Sequence, residues 1–278
     1  MSISGVVQLF VGKPVHPVGA DGRMALSDHL RELRARILKS ALVVVAGLIV
    51  SLVFFDQLFD LVYGPYEQAQ KSLPEGSTEA TTAGAAGGFL LYLKLCGLAS
   101  LVATSPLWLY QIWAFILPGL HATERRWSRI FVAVAGPLFM SGIVLGYVTL
   151  PKGLEVLIGF TPEGLTNLVE FNEYLTFFSR TLLVFGIAFE IPLFVVLLNL
   201  AGVVSGKALG AHRPWIIIGV FVFAAVATPS ADPFTMTFMA IPMVVLFLIS
   251  EQIARYNDRR RAKRNKFAGL SPDEASPL

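Results

Sequence analysis

Six apolar runs dominate this sequence: Ala41–Leu58, Phe89–Leu117, Ile130–Leu150, Tyr174–Leu200, Trp215–Ala227 and Phe234–Ser250. No soluble core can bury all of them. Hydrophobic residues make up 55% of the chain and charged residues only 15%, too few to clothe a domain of this size in polar surface. A lipid bilayer accepts such runs, and only as helices, because a lipid-exposed backbone has to satisfy its hydrogen bonds internally. The sequence therefore predicts an all-α membrane protein with six transmembrane helices.

The charges between the runs alternate in sign. Lys13, Arg23, Arg31, Arg34, Arg36 and Lys39 precede the first run, and Arg125, Arg126 and Arg129 lie between the second and third. Lys207 and Arg213 separate the fourth from the fifth, and Arg255, Arg259, Arg260, Arg261, Lys263, Arg264 and Lys266 follow the sixth. The other loops, with the spans that open from them, hold only Lys71, Lys94, Lys152 and Arg180 as bases and are otherwise acidic. Lys and Arg are retained on the cytoplasmic side, so both termini are expected there. The net charge of +3 is then a mark of topology and not a nucleic-acid footprint.

Span lengths and prolines point to a curved, cupped arrangement. At ~1.5 Å per residue the second run could reach ~43 Å and must tilt, bend or protrude, whereas the last two fall short of a ~30 Å hydrocarbon core. Pro106, Pro137, Pro192 and Pro242 each interrupt a run and favour a kink. The first long loop contains the small-residue tract TEATTAGAAGG; partial helix is expected there around Leu61–Leu73 and a flexible segment around Glu79–Gly88. The expected organisation is a disordered leader over 1–25, with Met24 as a candidate initiator, a six-span domain over 26–256, and a disordered basic tail over 257–278. The first 23 residues lack the apolar core of a cleavable signal peptide.

Catalytic patterns are missing. There is no phosphate-binding glycine loop, no His-Glu-x-x-His, and His16, His29, His121 and His212 all fall outside the spans or at their edges. The single Cys96 excludes an intrachain disulfide and a multi-cysteine metal site, and nothing calls for a cofactor or metal. Three carboxylates stand out instead. Glu32 lies in an amphipathic segment whose apolar stripe is Leu26, Leu30, Leu33 and Ile37; it projects from the opposite face, spaced to pair with Arg36. Glu124 follows Thr123, an N-cap candidate at the start of the third span, where the helix dipole favours an acid. Glu190 falls deep within the fourth span, where a carboxylate is costly and marks a functional site by default.

At these residues the chain resembles the TatC family, the polytopic subunit of the twin-arginine protein translocase. The resemblance runs from about Leu26 to Tyr256 and is carried by HLRELR (His29–Arg34), Gly64-Pro65, LYQIWAFILPGLHATERR (Leu109–Arg126), FGIAFEIP (Phe185–Pro192) and TPSADPF (Thr228–Phe234). It implies a signal-peptide receptor and core subunit for export of folded proteins across the bacterial cytoplasmic membrane, driven by the proton-motive force. The implied partners are single-span TatA- and TatB-type subunits, twin-arginine signal peptides, the lipid bilayer and further copies of the chain. Glu32 and Glu124 match the family's recognition acids, and a carboxylate accepts a guanidinium in bidentate geometry. His29, Leu30, Leu33 and Arg34 would complete one half of that site, with Phe115, Arg125 and Arg126 beside the other. Glu190 matches the intramembrane acid and Asp232 the acid of the last periplasmic turn. Met236 stands where family members often carry a polar residue. The rival reading is a proton-coupled transporter for a small solute, which would usually show a midplane binding cluster and internal repeats.

Overall fold

A computed structural model describes residues 26–116, 125–162, 164–227 and 233–268. The leader and the positions of Glu124 and Asp232 lie outside these ranges. The chain enters through α1 (Leu26–Val53), turns at Phe54 and continues as α2 (Phe55–Lys71). Helices α3 (Gly87–Ala103) and α4 (Ser105–Ile116) form the second crossing, α5 (Arg125–Gly159) the third and α6 (Phe171–Leu200) the fourth. A short α7 (Gly206–Ala211) leads into α8 (Arg213–Ala227), and α9 (Pro233–Ala268) ends the described chain. Helices α1, α5, α6 and α9 are each long and apolar enough to span a membrane, and α3 with α4 adds a fifth span as a bent pair. Helix α8 is apolar but has only 15 residues.

The second crossing breaks where Pro106 interrupts it: α3 and α4 meet at Thr104 with a bend of 57°. The carbonyls at the break are not left bare. Trp108 Nε1 donates to the Leu101 carbonyl at 2.9 Å, and the Thr104 amide and hydroxyl both donate to the Ser100 carbonyl. By contrast, α5, α6 and α9 run continuously through Pro137, Pro192 and Pro242.

The core is the α5–α6 crossing, and glycine sets its closeness. A Cβ on Gly142 would lie 2.5 Å from the Phe185 carbonyl oxygen, and one on Gly186 would lie 2.7 Å from the Phe139 ring. Small residues let backbones approach where apolar burial gives no drive between helices in lipid. Phe139, Phe178, Leu182 and Phe185 fill the contact. Gly142 and Gly146 form a G-x-x-x-G pair legible in the sequence but not singled out from it.

Two expectations require correction. The segment expected to be flexible is in part regular structure: Thr78–Thr81 is a strand, β1, paired in parallel with β2 (Asn167–Glu170) from the loop between α5 and α6. Tyr66 pins it from α2 through a 2.9 Å hydroxyl contact with Thr78, and Gln70 Nε2 donates to the Thr78 carbonyl. The tract read as flexible supplies a four-residue edge that only a partner distant in sequence can satisfy. The basic stretch after Tyr256 is likewise not a disordered tail from residue 257, since α9 stays helical to Ala268. Arg, Lys and Ala are good helix formers, and the first glycine comes at Gly269. The sixth helix is consequently long, and only its apolar part, Phe234–Ser250, is short.

Candidate functional site

Glu32 lies on the second turn of α1, and the helix turns this face inward, not toward solvent. Leu30 and Ile37 are exposed, at 55% and 57%, while Ala35 is buried and Glu32 and Arg36 have side chains only 19% and 20% exposed. Glu32 does lie on the side opposite Leu30 and Ile37, but it is partly covered and not freely solvated. Leu30 and Ile37 are the exposed members of the apolar stripe, Leu33 is only partly exposed, and the polar face packs where it can find partners. Arg36 supplies one: its Nη2 lies 2.5 Å and its Nε 3.0 Å from Glu32 Oε1. Both bonds fall on the same oxygen, and among the described residues Oε2 takes none. Arg36 Nη1 reaches Gln111 Oε1 at 3.4 Å, which ties the pair to α4.

One turn earlier, the His29 and Phe115 rings stack with centroids 4.5 Å apart and planes 21° from parallel. These two residues, 86 positions apart, join the start of α1 to the end of α4. Deeper along the same seam a groove of about 770 Å³ opens between the two helices. Leu33, Ile37, Val44, Trp108, Ile112 and Phe115 line it, and Arg36 and Gln111 stand at its polar edge. The site thus presents a carboxylate held against a guanidinium, followed by an apolar trough running into the membrane. Leu30 and Arg34 are exposed on the α1 surface beside it, and Arg125 and Arg126 open α5. Glu124 falls outside the described residues.

Glu190 is half-buried two-thirds of the way along α6, held from α4 by Trp113, whose Nε1 donates to Oε2 at 3.2 Å. Its Oε1 is buried without a hydrogen-bond partner among the described residues. A carboxylate with one bare oxygen in an apolar helix packing is a costly arrangement unless water or a proton reaches it. The tryptophan link escaped sequence reasoning because nothing local connects positions 113 and 190. Met236 is half-buried, packed near Met239, Ala240 and Phe185 where α6, α8 and α9 meet.

A buried ionic cluster also went unread. Glu251, fully buried on α9, accepts from Arg213 Nε at 3.0 Å and Nη2 at 2.8 Å, and from Arg255 Nε at 2.8 Å. About two turns beyond Glu251, Asp258 accepts from Asn199 Nδ2 and from the Gly206 amide. The Glu251–Arg255 spacing was legible as an i,i+4 pair, but Arg213 was not recoverable as its second partner. Gly210 makes room for the cluster, since a Cβ there would come within 3 Å of Arg255 and Glu251.

A family model described as "Sec-independent protein translocase protein (TatC)" matches residues 28–242. A Sec-independent protein translocase protein TatC from Frankia casuarinae is 44% identical over 268 residues, covering 93% of this chain and 74% of the relative. The protein of the same name from Escherichia coli strain K12 is 35% identical over 232 residues, covering 83% of this chain and 88% of the relative. Among solved structures, a crystal structure of the twin arginine translocase receptor TatC in DDM superposes with a TM-score of 0.68 at 32% identity. It covers 81% of this chain and 99% of that one.

Proposed function

The chain belongs to the TatC family of Sec-independent protein translocase proteins, and on that premise we propose that it is the signal-peptide receptor of a twin-arginine translocase. It is a multi-pass membrane protein and a translocase component, a transport subunit rather than a catalyst. The observation that carries the receptor reading is the Glu32–Arg36 pair at the head of the α1–α4 groove. Arg36 already holds a guanidinium against the carboxylate, which is the contact an incoming arginine would make, and among the described residues Oε2 takes no bond. The apolar trough beyond it fits the hydrophobic stretch that follows the arginines in an export signal. Recognition by charge and then by apolar surface suits a substrate with that order of residues.

In this reading the start of α1, the α4–α5 and α6–α8 connections and the end of α9 face the cytoplasm, and the strands face the periplasm. The basic loops support that orientation in a bacterial cytoplasmic membrane. Glu124, which lies outside the described residues, supplies the second carboxylate in this reading, with Arg125 and Arg126 following it in sequence; His29, Leu30, Leu33, Arg34 and Phe115 complete the surface. Glu190 and Asp232 act after recognition, during transport driven by the proton-motive force. TatA- and TatB-type subunits, with further copies of the chain, assemble around it. Photocrosslinking of a twin-arginine peptide and of its twin-lysine version to the full chain in lipid tests the reading. Labelling should favour the arginine peptide and drop at least tenfold in Glu32→Gln with Glu124→Gln. Undiminished labelling of that double variant would overturn it.

A further inference from the structure

Helices α3 and α6 both start just after the paired strands and run side by side into the membrane from that side. Each carries a base that topology leaves unexplained. Lys94 lies about seven residues past Gly87, or ~10 Å along α3, and Arg180 about nine past Phe171, or ~14 Å along α6. Both side chains are exposed. Lys94 Nζ rests 3.4 Å from the Thr176 hydroxyl, and Thr176 lies one turn before Arg180 on the same face of α6. The two cations therefore share one patch. Among the described residues neither has a carboxylate within ion-pair distance. Glu173, exposed at the top of α6, forms no ion pair with either.

We propose that Lys94 and Arg180, with Thr176 positioning the Lys94 ammonium, bind the phosphodiester of a membrane phospholipid in the leaflet on the strand side. Depth supports this ligand. Helix α6 has 30 residues and is ~45 Å long, so centred on a ~30 Å core it projects ~7 Å at either end. Arg180 then lies ~6 Å below the hydrocarbon boundary, within the reach of a snorkelling side chain. Cations at that depth stay charged by drawing a phosphate down to them. The Thr176 hydroxyl donates to the Asn172 carbonyl at 2.7 Å and accepts from Lys94, so it holds the ammonium beside Arg180 and adds no donor of its own. The surroundings suit the acyl chains: Leu90 and Leu93 are each 46% exposed on α3, and Ile187 is 56% exposed on α6. One turn below Lys94, a Cβ on Gly97 would meet nothing within 4 Å, so a notch opens where a chain can lie. The site is independent of the signal-peptide groove, which lies between α1 and α4.

The test uses the full chain reconstituted in vesicles of phosphatidylglycerol and phosphatidylethanolamine, then transferred to mild detergent for native mass spectrometry. Wild type should retain a phospholipid in preference to a phosphate-free glycolipid of the same chain length. Lys94→Gln and Arg180→Gln should each weaken retention about fivefold, and Lys94→Arg should keep it. A photoreactive acyl chain on either phospholipid should label Leu90, Leu93 and Ile187 of wild type above other lipid-facing residues, a readout that needs no variant. Preference for one headgroup identifies the source of the phosphodiester; equal retention of both still supports the site. The proposal is overturned if wild type shows no enriched labelling there. It is equally overturned if a transmembrane peptide bearing a carboxylate, and no phospholipid, occupies the patch.

Discussion

Replacing Arg36 with Gln should tighten binding of a twin-arginine peptide, although it removes a charge from the receptor surface. Arg36 occupies one oxygen of Glu32 through two N–H groups, so an incoming guanidinium has to displace it or share the carboxylate. At an effective dielectric of ~20 the bare attraction over 4 Å is ~4 kcal/mol. Holding two long side chains in one geometry and removing them partly from water offsets most of it. Exposed pairs retain ~0.2–1 kcal/mol, and with side chains about one-fifth exposed this pair belongs near the upper limit, ~1 kcal/mol. Lifting that competition should lower Kd about fivefold. Arg36→Lys should fall between, since an ammonium holds the carboxylate as a point charge without the planar fork. Fluorescence anisotropy of a labelled peptide, with the full chain in nanodiscs at fixed salt, reads the change. Combining Glu32→Gln with Arg36→Gln should erase the gain, which makes the pair a double-mutant cycle. An affinity that is unchanged or weaker in a folded Arg36→Gln protein would refute the reasoning and make Arg36 part of the binding surface.

Three further outcomes follow from the packing. Gly142→Ala should cost about 1–3 kcal/mol, because its Cβ would sit 2.5 Å from the Phe185 carbonyl and force the core helices apart; thermal unfolding in detergent should show a drop of several degrees. Glu251→Ala leaves Arg213 and Arg255 facing each other without their shared acceptor, and since both are about two-fifths exposed the loss should be nearer 2 kcal/mol than the 3–5 of a fully buried pair, with faster proteolysis around Lys207 as the readout. Glu170 caps α6, and hydrogen bonds from the Asn172 side chain and the Glu173 amide hold its carboxyl below its ordinary value of 4.5. Its stabilisation is therefore present above that value and lost as pH falls through the lowered one, so hydrogen exchange at the Glu173 amide should speed up in acid, and Glu170→Gln should remove the pH dependence.

The membrane class and helical content followed from composition and run length alone, because hydrocarbon penalises every unpaired backbone group whatever its neighbours do. A break at Pro106 was legible as a candidate because proline lacks an N–H, but Pro137, Pro192 and Pro242 lack it too and their helices run on, so the packing decided which span bends. Candidate recognition residues could be named from HLRELR and HATERR as short motifs, and the structure brings the His29 and Phe115 rings into contact. Tertiary structure alone decided the surroundings of Glu32, since the α4 residue that reaches its partner Arg36 lies 75 positions away in sequence. It also decided the Trp113 bond to Glu190, the pairing of β1 with β2, and the grip of Arg213 on Glu251. Each joins positions at least 38 apart, and no local rule of periodicity, capping or propensity carries information over that distance. Helix length at the end of α9 fell between the two. Its helix formers were in plain view, but a dense run of like charge reads as disorder until Glu251, Asp258 and Asn199 tie the preceding turns to the body of the protein.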